Sequence, residues 1–233
     1  FAARAAGVHA TVVVPQGNSR EKNAAMRAFG AELIEHGKDF NESLEFVKEQ
    51  AETRGPEFFP SFDSALVAGV GTYTAELLNA VPDLDAIYVP IGLGSGICGA
   101  ISARDALGSK ADVVGVVAEN ASAYALSYDA GKPIATNSAD TFADGLAVRI
   151  PDPRALDAIL AGVARVVTVS EQVMKAAVRY YYTDTHNLAE GAGAASLAAL
   201  MQEKEVMVGR KVGLVLSGGN IDRDLYLDIL ADG

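Results

Sequence analysis

Four glycines and one serine between residues 92 and 99, in the run PIGLGSGICG, allow backbone N–H groups to come close to an anion. They follow the apolar run AIYV and precede a segment of helical period, so a helix N-terminus would add its partial positive charge at the same place. Gly92, Leu93, Gly94, Ser95 and Gly96 are therefore candidate phosphate ligands through their amides, with the Ser95 hydroxyl as a further donor. Gly94, Gly96 and Gly99 also spell G-x-G-x-x-G, and a second apolar run over 113–118 ends in Glu119, where the ribose-binding acid of a dinucleotide site would fall. On these residues alone a dinucleotide and another phosphate compound are both open. A tight turn whose glycines serve helix packing is the bland reading.

Other reactive side chains carry less. Cys98 sits where a helix N-terminus would acidify a thiol, but no base accompanies it in the sequence, and a small residue packed under the loop is the expectation. As the only cysteine it excludes an intrachain disulfide framework and a multi-thiolate metal site, and it suits a reducing compartment. His9, His36 and His186 show no i,i+4 spacing for a zinc pair. The eight lysines lie in polar contexts such as QEKE around Lys204, the usual setting of solvated faces. A net charge of −11 without a Lys/Arg cluster argues against nucleic acid as a partner. No apolar stretch approaches the ~20 residues of a membrane span and no secretory signal pattern is present, so a cytoplasmic protein is expected.

The elements that must position the glycine loop alternate in type. Apolar β-branched runs near 10–14, 32–34, 86–89, 112–118, 165–169 and 212–216 predict strands. Between them, stretches near 19–29, 41–53, 72–80, 99–106, 170–181, 192–204 and 222–230 have helical period. This alternation predicts an α/β fold of parallel sheets covered by helices. The segment RGPEFFPSFD breaks the pattern and predicts a crossing between a small α/β domain, residues 1–60, and a larger domain, residues 61–233. Residues 1–6 read as the tail of a helix closed by Gly7, so the chain is expected to begin inside a domain.

Four more segments join the glycine loop in a fixed order. AGVGT at 68–72 precedes it, FADG at 142–145 and EGAGAAS at 190–196 follow it, and LSGGN at 216–220 comes after the last strand. In this order and spacing, from AAGVHATVVVP to SGGNID, the chain resembles the fold type II pyridoxal phosphate enzymes, in the threonine/serine dehydratase and serine racemase branch.

The resemblance implies a tryptophan-synthase-β-like, two-domain architecture, a homodimer, and a small amino acid as substrate. It gives the loop from Gly92 to Gly96 to the cofactor phosphate, Ser217 to the pyridine nitrogen, and Glu190 to the neighbourhood of the ring. A neutral hydroxyl partner leaves the ring less electron-withdrawing than a carboxylate would, which favours loss of a β-substituent over transamination. Family members with a Mg²⁺ or Ca²⁺ site imply Glu119 and the Ala123 carbonyl as ligands, but the third ligand position is Ala125, with Asp129 four residues beyond as a substitute. The Schiff-base lysine and the substrate-carboxylate loop of the family lie upstream of every motif here, so the chain is expected to be a fragment with no catalytic residue of its own. The implied activity is dehydration and deamination of an L-threonine- or L-serine-type substrate to a 2-oxo acid and ammonia. Racemisation on the same fold and a non-catalytic cofactor-binding remnant are the alternatives.

Overall fold

The computed structural model describes residues 1–55 and 57–232; Pro56, inside the expected crossing segment, lies outside them. Two compact units are present, one of Phe1–Pro60 with Asn220–Asp232 and one essentially of Ser61–Gly219.

In the first unit α1 (Ala2–Ala5) leads to β1 (Thr11–Val14), α2 (Arg20–Ala28), β2 (Glu32–Glu35) and α3 (Phe40–Arg54), with β1 and β2 paired in parallel. Local chemistry sets these boundaries. The Ser19 hydroxyl accepts from Lys22 N at 3.1 Å to cap α2, Asp39 caps α3 through Glu42 N at 2.9 Å, and Gly55 ends α3 in the left-handed region.

The second unit runs α4 (Ser64–Ala80), β3 (Ala86–Pro90), α5 (Ser95–Ala106), β4 (Asp112–Ala118), α6 (Ala123–Ala130), α7 (Pro153–Gly162), β5 (Arg165–Val169), α8 (Glu171–Thr185), α9 (Gly191–Gln202) and β6 (Val212–Leu214). Its sheet is wholly parallel in the order β5-β4-β3-β6. Ile87, Tyr88, Val89, Val113, Val114, Val116 and Val117 are all buried, as residues of both faces must be when helices cover a parallel sheet. Each such branched side chain contributes about 1.5–3 kcal/mol relative to exposure.

The parallel α/β architecture expected from the sequence is present, with three differences in its helices. α4 begins at Ser64, not near residue 72, because Asp63 caps it through Ala65 N at 2.8 Å and Gly69 and Gly71 are tolerated inside it. α5 begins at Ser95, inside the glycine loop. Helices α6 and α7 have no counterpart among the expected elements. Each is short, and α6 contains the exposed Leu126, which blurs its periodicity.

After Gly219 the chain forms α10 (Arg223–Ala231), which belongs to the first unit. A reciprocal pair of caps holds it there. The Asp222 carboxylate accepts from the Ser19 hydroxyl at 2.5 Å and from Arg20 N and Glu21 N at 3.1 and 3.2 Å. Glu21 in return accepts from Arg223 N at 2.9 Å. The expected large domain of residues 61–233 therefore differs from this grouping in its last helix, and no periodicity in the sequence announces that return. Among the described residues no helix is long and apolar enough to cross a membrane.

Candidate functional site

The strand order decides where a ligand can enter the second unit. β4 lies on one side of β3 and β6 on the other, all parallel, so the segments that leave β3 and β6 emerge side by side at the carboxyl ends of these two strands, where open parallel sheets bind ligands. Gly92 to Gly96 follow β3 there, and Ser217 follows β6.

Two tyrosine hydroxyls fix the loop. Tyr124 Oη, on α6, donates to Leu93 O at 3.0 Å and accepts from Asp152 N at 3.1 Å, while Tyr73 Oη, on α4, donates to Gly96 O at 3.3 Å. Burial pushes the titration of both hydroxyls upward and keeps them as neutral donors. In a planar trans peptide the N–H points opposite to the C=O, so anchoring the Leu93 and Gly96 carbonyls turns the Gly94 and Ile97 N–H groups away from the tyrosines. Ser95, Gly96 and Ile97 open α5, and their N–H groups have no acceptor within the helix. The result is a set of amides at a helix N-terminus, suited to an anion.

The glycines divide by what surrounds them. Gly94 has φ +102°, and a Cβ there would lie 2.6 Å from the Cβ of Ala155. A Cβ on Gly92 would run into the carbonyl oxygen of Gly145, and one on Gly145 would lie 2.8 Å from Ala192 Cβ. Gly99 differs, since its Cβ would stand 2.8 Å from Gly71 N and 2.9 Å from Val67 O, so it serves the close crossing of α4 over α5. The third glycine of a dinucleotide fingerprint admits packing of helix on strand; here it admits helix on helix.

On the opposite side of Gly145 stands the start of α9. Glu190 occupies its N-cap position, and Glu190 N donates to Gly218 O at 3.1 Å. A Cβ on Gly193 would strike Gly218 O, and one on Gly218 would strike the Glu190 carboxylate. The structure thus brings Gly92, Gly145, Glu190 and Gly218 into one contiguous wall, with Ser217 exposed beside it. In the sequence FADG stands out only through a family resemblance, and Tyr73 and Tyr124 do not stand out. Tyr124 carries no signal there, since its helix is itself not expected.

The expected metal ligands lie at the end of β4 and the start of α6. Glu119 is exposed at the end of β4 and borders a cavity of about 400 Å³ with Asn120, Ser122, Thr136, Ser138 and Asp140. The Ala123 carbonyl lies in the first turn of α6 and accepts from the Ser127 hydroxyl at 2.7 Å. Among the described residues no three His, Cys, Asp or Glu side chains converge as a metal set. The Mg²⁺ or Ca²⁺ expectation finds no support in this geometry.

Cys98 is buried, with Sγ 3.8 Å from Ala155 O, and burial followed by the Asp152 charge pushes its thiol up to about 11. It packs under the loop and is not a nucleophile. Native protein at neutral pH is expected to react with iodoacetamide about a hundredfold more slowly than denatured protein, given a thiolate scarcer by about two pH units. Equal rates would show that the loop opens freely.

Comparison with known proteins fits this geometry. A family described as pyridoxal-phosphate dependent enzyme matches residues 1–218. The L-threonine ammonia-lyase of Thermotoga maritima is 32% identical over 234 residues, covering 100% of this chain and 58% of that protein. The Geobacter sulfurreducens L-threonine ammonia-lyase is 36% identical over 223 residues, covering 95% of this chain and 56% of that protein. The chain thus spans less than two thirds of the length of either relative. Among solved structures, processed threonine deaminase isoform 2 from Solanum lycopersicum has a TM-score of 0.88 at 25% identity, covering 97% of this chain and 66% of that one. Maize serine racemase has a TM-score of 0.88 at 26% identity, covering 99% and 72%.

Proposed function

The chain belongs to the pyridoxal-phosphate dependent enzymes, and from that membership we propose that it forms most of a dehydratase that converts an L-threonine- or L-serine-type amino acid to a 2-oxo acid and ammonia. The dinucleotide reading of the glycine loop falls with this membership. The observation that carries the proposal is the loop itself: Gly92 and Gly94 admit no side chain, the Gly94 and Ile97 N–H groups are turned away from the tyrosine anchors, and Ser95 and Gly96 open α5 with N–H groups that have no acceptor within the helix.

The residues fit a cofactor with a phosphate at one end and a flat ring at the other. When bound, pyridoxal phosphate supplies an electron sink that acidifies the α-carbon of an amino acid. The chain's own contribution is to hold and tune. The loop amides bind the phosphate dianion, and the α5 N-terminus favours its charge. Gly92, Gly145 and Gly218 let the loop, the turn at Gly145 and the start of α9 close into one wall, since a Cβ at any of them would force these parts apart. The Ser217 hydroxyl offers a neutral hydrogen bond to the ring nitrogen, and Glu190, fixed at the α9 N-cap, borders the same wall. Proton abstraction needs a base that this chain does not assign among its lysines.

Racemase activity remains a second reading, favoured by the likeness to maize serine racemase at the same TM-score as the deaminase. Cytoplasmic residence and a homodimer complete the proposal; a lone buried thiol suits a reducing compartment. The test is turnover by the full-length polypeptide loaded with pyridoxal phosphate, following 2-oxo acid and ammonia from L-threonine and L-serine beside D-isomer formation. Absence of both products overturns the reading.

Ser217 gives a finer test in the same assay. Ser217→Ala removes one exposed hydroxyl and is expected to leave the melting temperature within a degree or two, yet to lower turnover roughly ten- to a hundredfold, equivalent to about 1–3 kcal/mol. Parental turnover in this variant would remove Ser217 from the ring.

A further inference from the structure

The floor of the glycine cradle is not part of the loop. It is the carbonyl of Gly145, against which Gly92 rests so closely that a Cβ would collide with it. Gly145 belongs to a short 3-10 turn, Asp144–Leu146, reached through Phe142 and Ala143. Ala143 and Leu146 are buried, whereas Asp144 and Gly145 are exposed. This wedge also touches α9: a Cβ on Gly191 would lie 2.6 Å from the Phe142 ring and 2.9 Å from Ala143 Cβ.

A wedge that abuts both the loop after β3 and the start of α9 transmits any displacement to both. Its own backbone is held mostly by bonds within the turn, such as Leu146 N to Ala143 O at 2.8 Å, which fix its shape but not its place. An external tie comes from α8. Glu171, the first residue of that helix, accepts from Phe142 N through Oε2 at 3.1 Å. The N-terminus of α8 favours the carboxylate at this position, and Ser170 caps the same helix through Val173 N at 3.4 Å. One turn further along, Lys175 Nζ lies 6.0 Å from the centroid of the Phe142 ring. The second oxygen of Glu171 is buried with no hydrogen-bond partner among the described residues. A carboxylate placed half-buried for one backbone amide, with its other oxygen left over, is positioned for that amide.

We propose that Glu171 is a positioning residue for the cofactor phosphate: it clamps the Phe142 amide, so that the Gly145 carbonyl stays against Gly92 and the loop amides stay converged. The proposal rests on the cofactor reading above and extends it to a side chain that does not touch the cofactor.

The experiment compares Glu171→Ala and Glu171→Gln with the parent in the full-length protein. Three quantities are measured: hydrogen exchange at the Phe142 amide, melting temperature, and dissociation constants for pyridoxal 5′-phosphate and for pyridoxal, which lacks the phosphate. Glu171→Ala is expected to speed Phe142 exchange at least about tenfold, and to weaken pyridoxal phosphate about tenfold while weakening pyridoxal much less. Glu171→Gln keeps an acceptor oxygen at the same reach and is expected to stay within about threefold of the parent on each. A residue that merely stabilised the fold would lower the melting temperature and weaken both ligands alike, without rescue by Gln, and that pattern overturns the proposal. Unchanged Phe142 exchange in Glu171→Ala also overturns it, whatever the ligand. A parent that shows no preference for the phosphorylated compound sinks the cofactor reading instead, and the exchange measurement still decides the clamp.

Discussion

Gly94→Asp in the full-length protein is expected to leave the fold in place and to abolish retention of pyridoxal phosphate. Three effects act at one atom. The backbone stands at φ +102°, which costs an L-residue about 1–2 kcal/mol. The new Cβ meets Ala155 Cβ at 2.6 Å, with Tyr124 Oη at 3.3 Å, so the loop must move off the tyrosine that orients it. The added carboxylate then stands among amides that would otherwise receive a dianion, and like charges in a site with few counter-ions repel by several kcal/mol. Together these exceed the roughly 2.7 kcal/mol that separates full retention from a hundredfold loss.

Two companions separate the causes. Gly94→Ala keeps the strain and the collision without the charge, and should weaken the cofactor by an intermediate amount. Gly108→Ala, at the opposite end of α5 with φ +65° and no neighbour within 4 Å of its Cβ, carries positive-φ strain alone and should leave binding unchanged. Measurement of the cofactor absorbance after gel filtration decides among them; normal retention by Gly94→Asp would take the loop out of the site.

The second large effect is expected far from the loop, at the amino end of the large sheet. Glu203, which follows α9, accepts from Arg165 Nε at 2.9 Å and from Arg165 Nη2 at 2.6 Å, and the Tyr88 hydroxyl donates to the same carboxylate. Arg165 also donates to Tyr88 Oη at 3.1 Å. The Arg165 guanidinium, then the tyrosine, hold the Glu203 carboxyl below the ordinary carboxylate range despite burial, while burial and the Glu203 acceptor push the Tyr88 hydroxyl up to about 12. Glu203→Ala leaves the arginine and the tyrosine half-buried without their acceptor. With side chains of Arg165 and Glu203 at 32% and 19% exposure, solvent screens part of the loss, and about 2–3 kcal/mol of destabilisation is expected in urea unfolding.

The pH dependence has a definite sign. A carboxyl whose folded pKa is depressed stabilises the fold fully above its unfolded pKa, and that stability is lost as pH falls through the folded pKa. The parent should therefore lose stability from about pH 5 downward, and Glu203→Gln, with nothing to titrate there, should show a shallower acid limb. Identical acid limbs would show that the clasp carries no linkage.

Much of the local structure was legible because it depends on neighbours in sequence. The β-branched runs at Val113, Val114, Val116 and Val117 form a strand because residues buried on both faces must be apolar throughout. Gly92 to Gly96 marked an open, glycine-rich turn at the start of a helix because only glycine opens the backbone so fully, and the order of the glycine segments pointed to the family that comparison then showed.

What the tertiary structure alone decided concerns residues that meet across long stretches of chain. Gly99 looked like the third member of a phosphate fingerprint, yet it serves the α4 crossing, because what a missing side chain makes room for depends on the partner that approaches. Gly145 became the floor of the cradle, and Tyr73 and Tyr124 its anchors, through contacts set by the order of the strands. α10 joined the first unit through Ser19 and Asp222, 203 positions apart. Periodicity and turn chemistry act within a few residues and are written in the sequence; close approach and shared burial join residues that the sequence keeps apart, so only the fold specifies them.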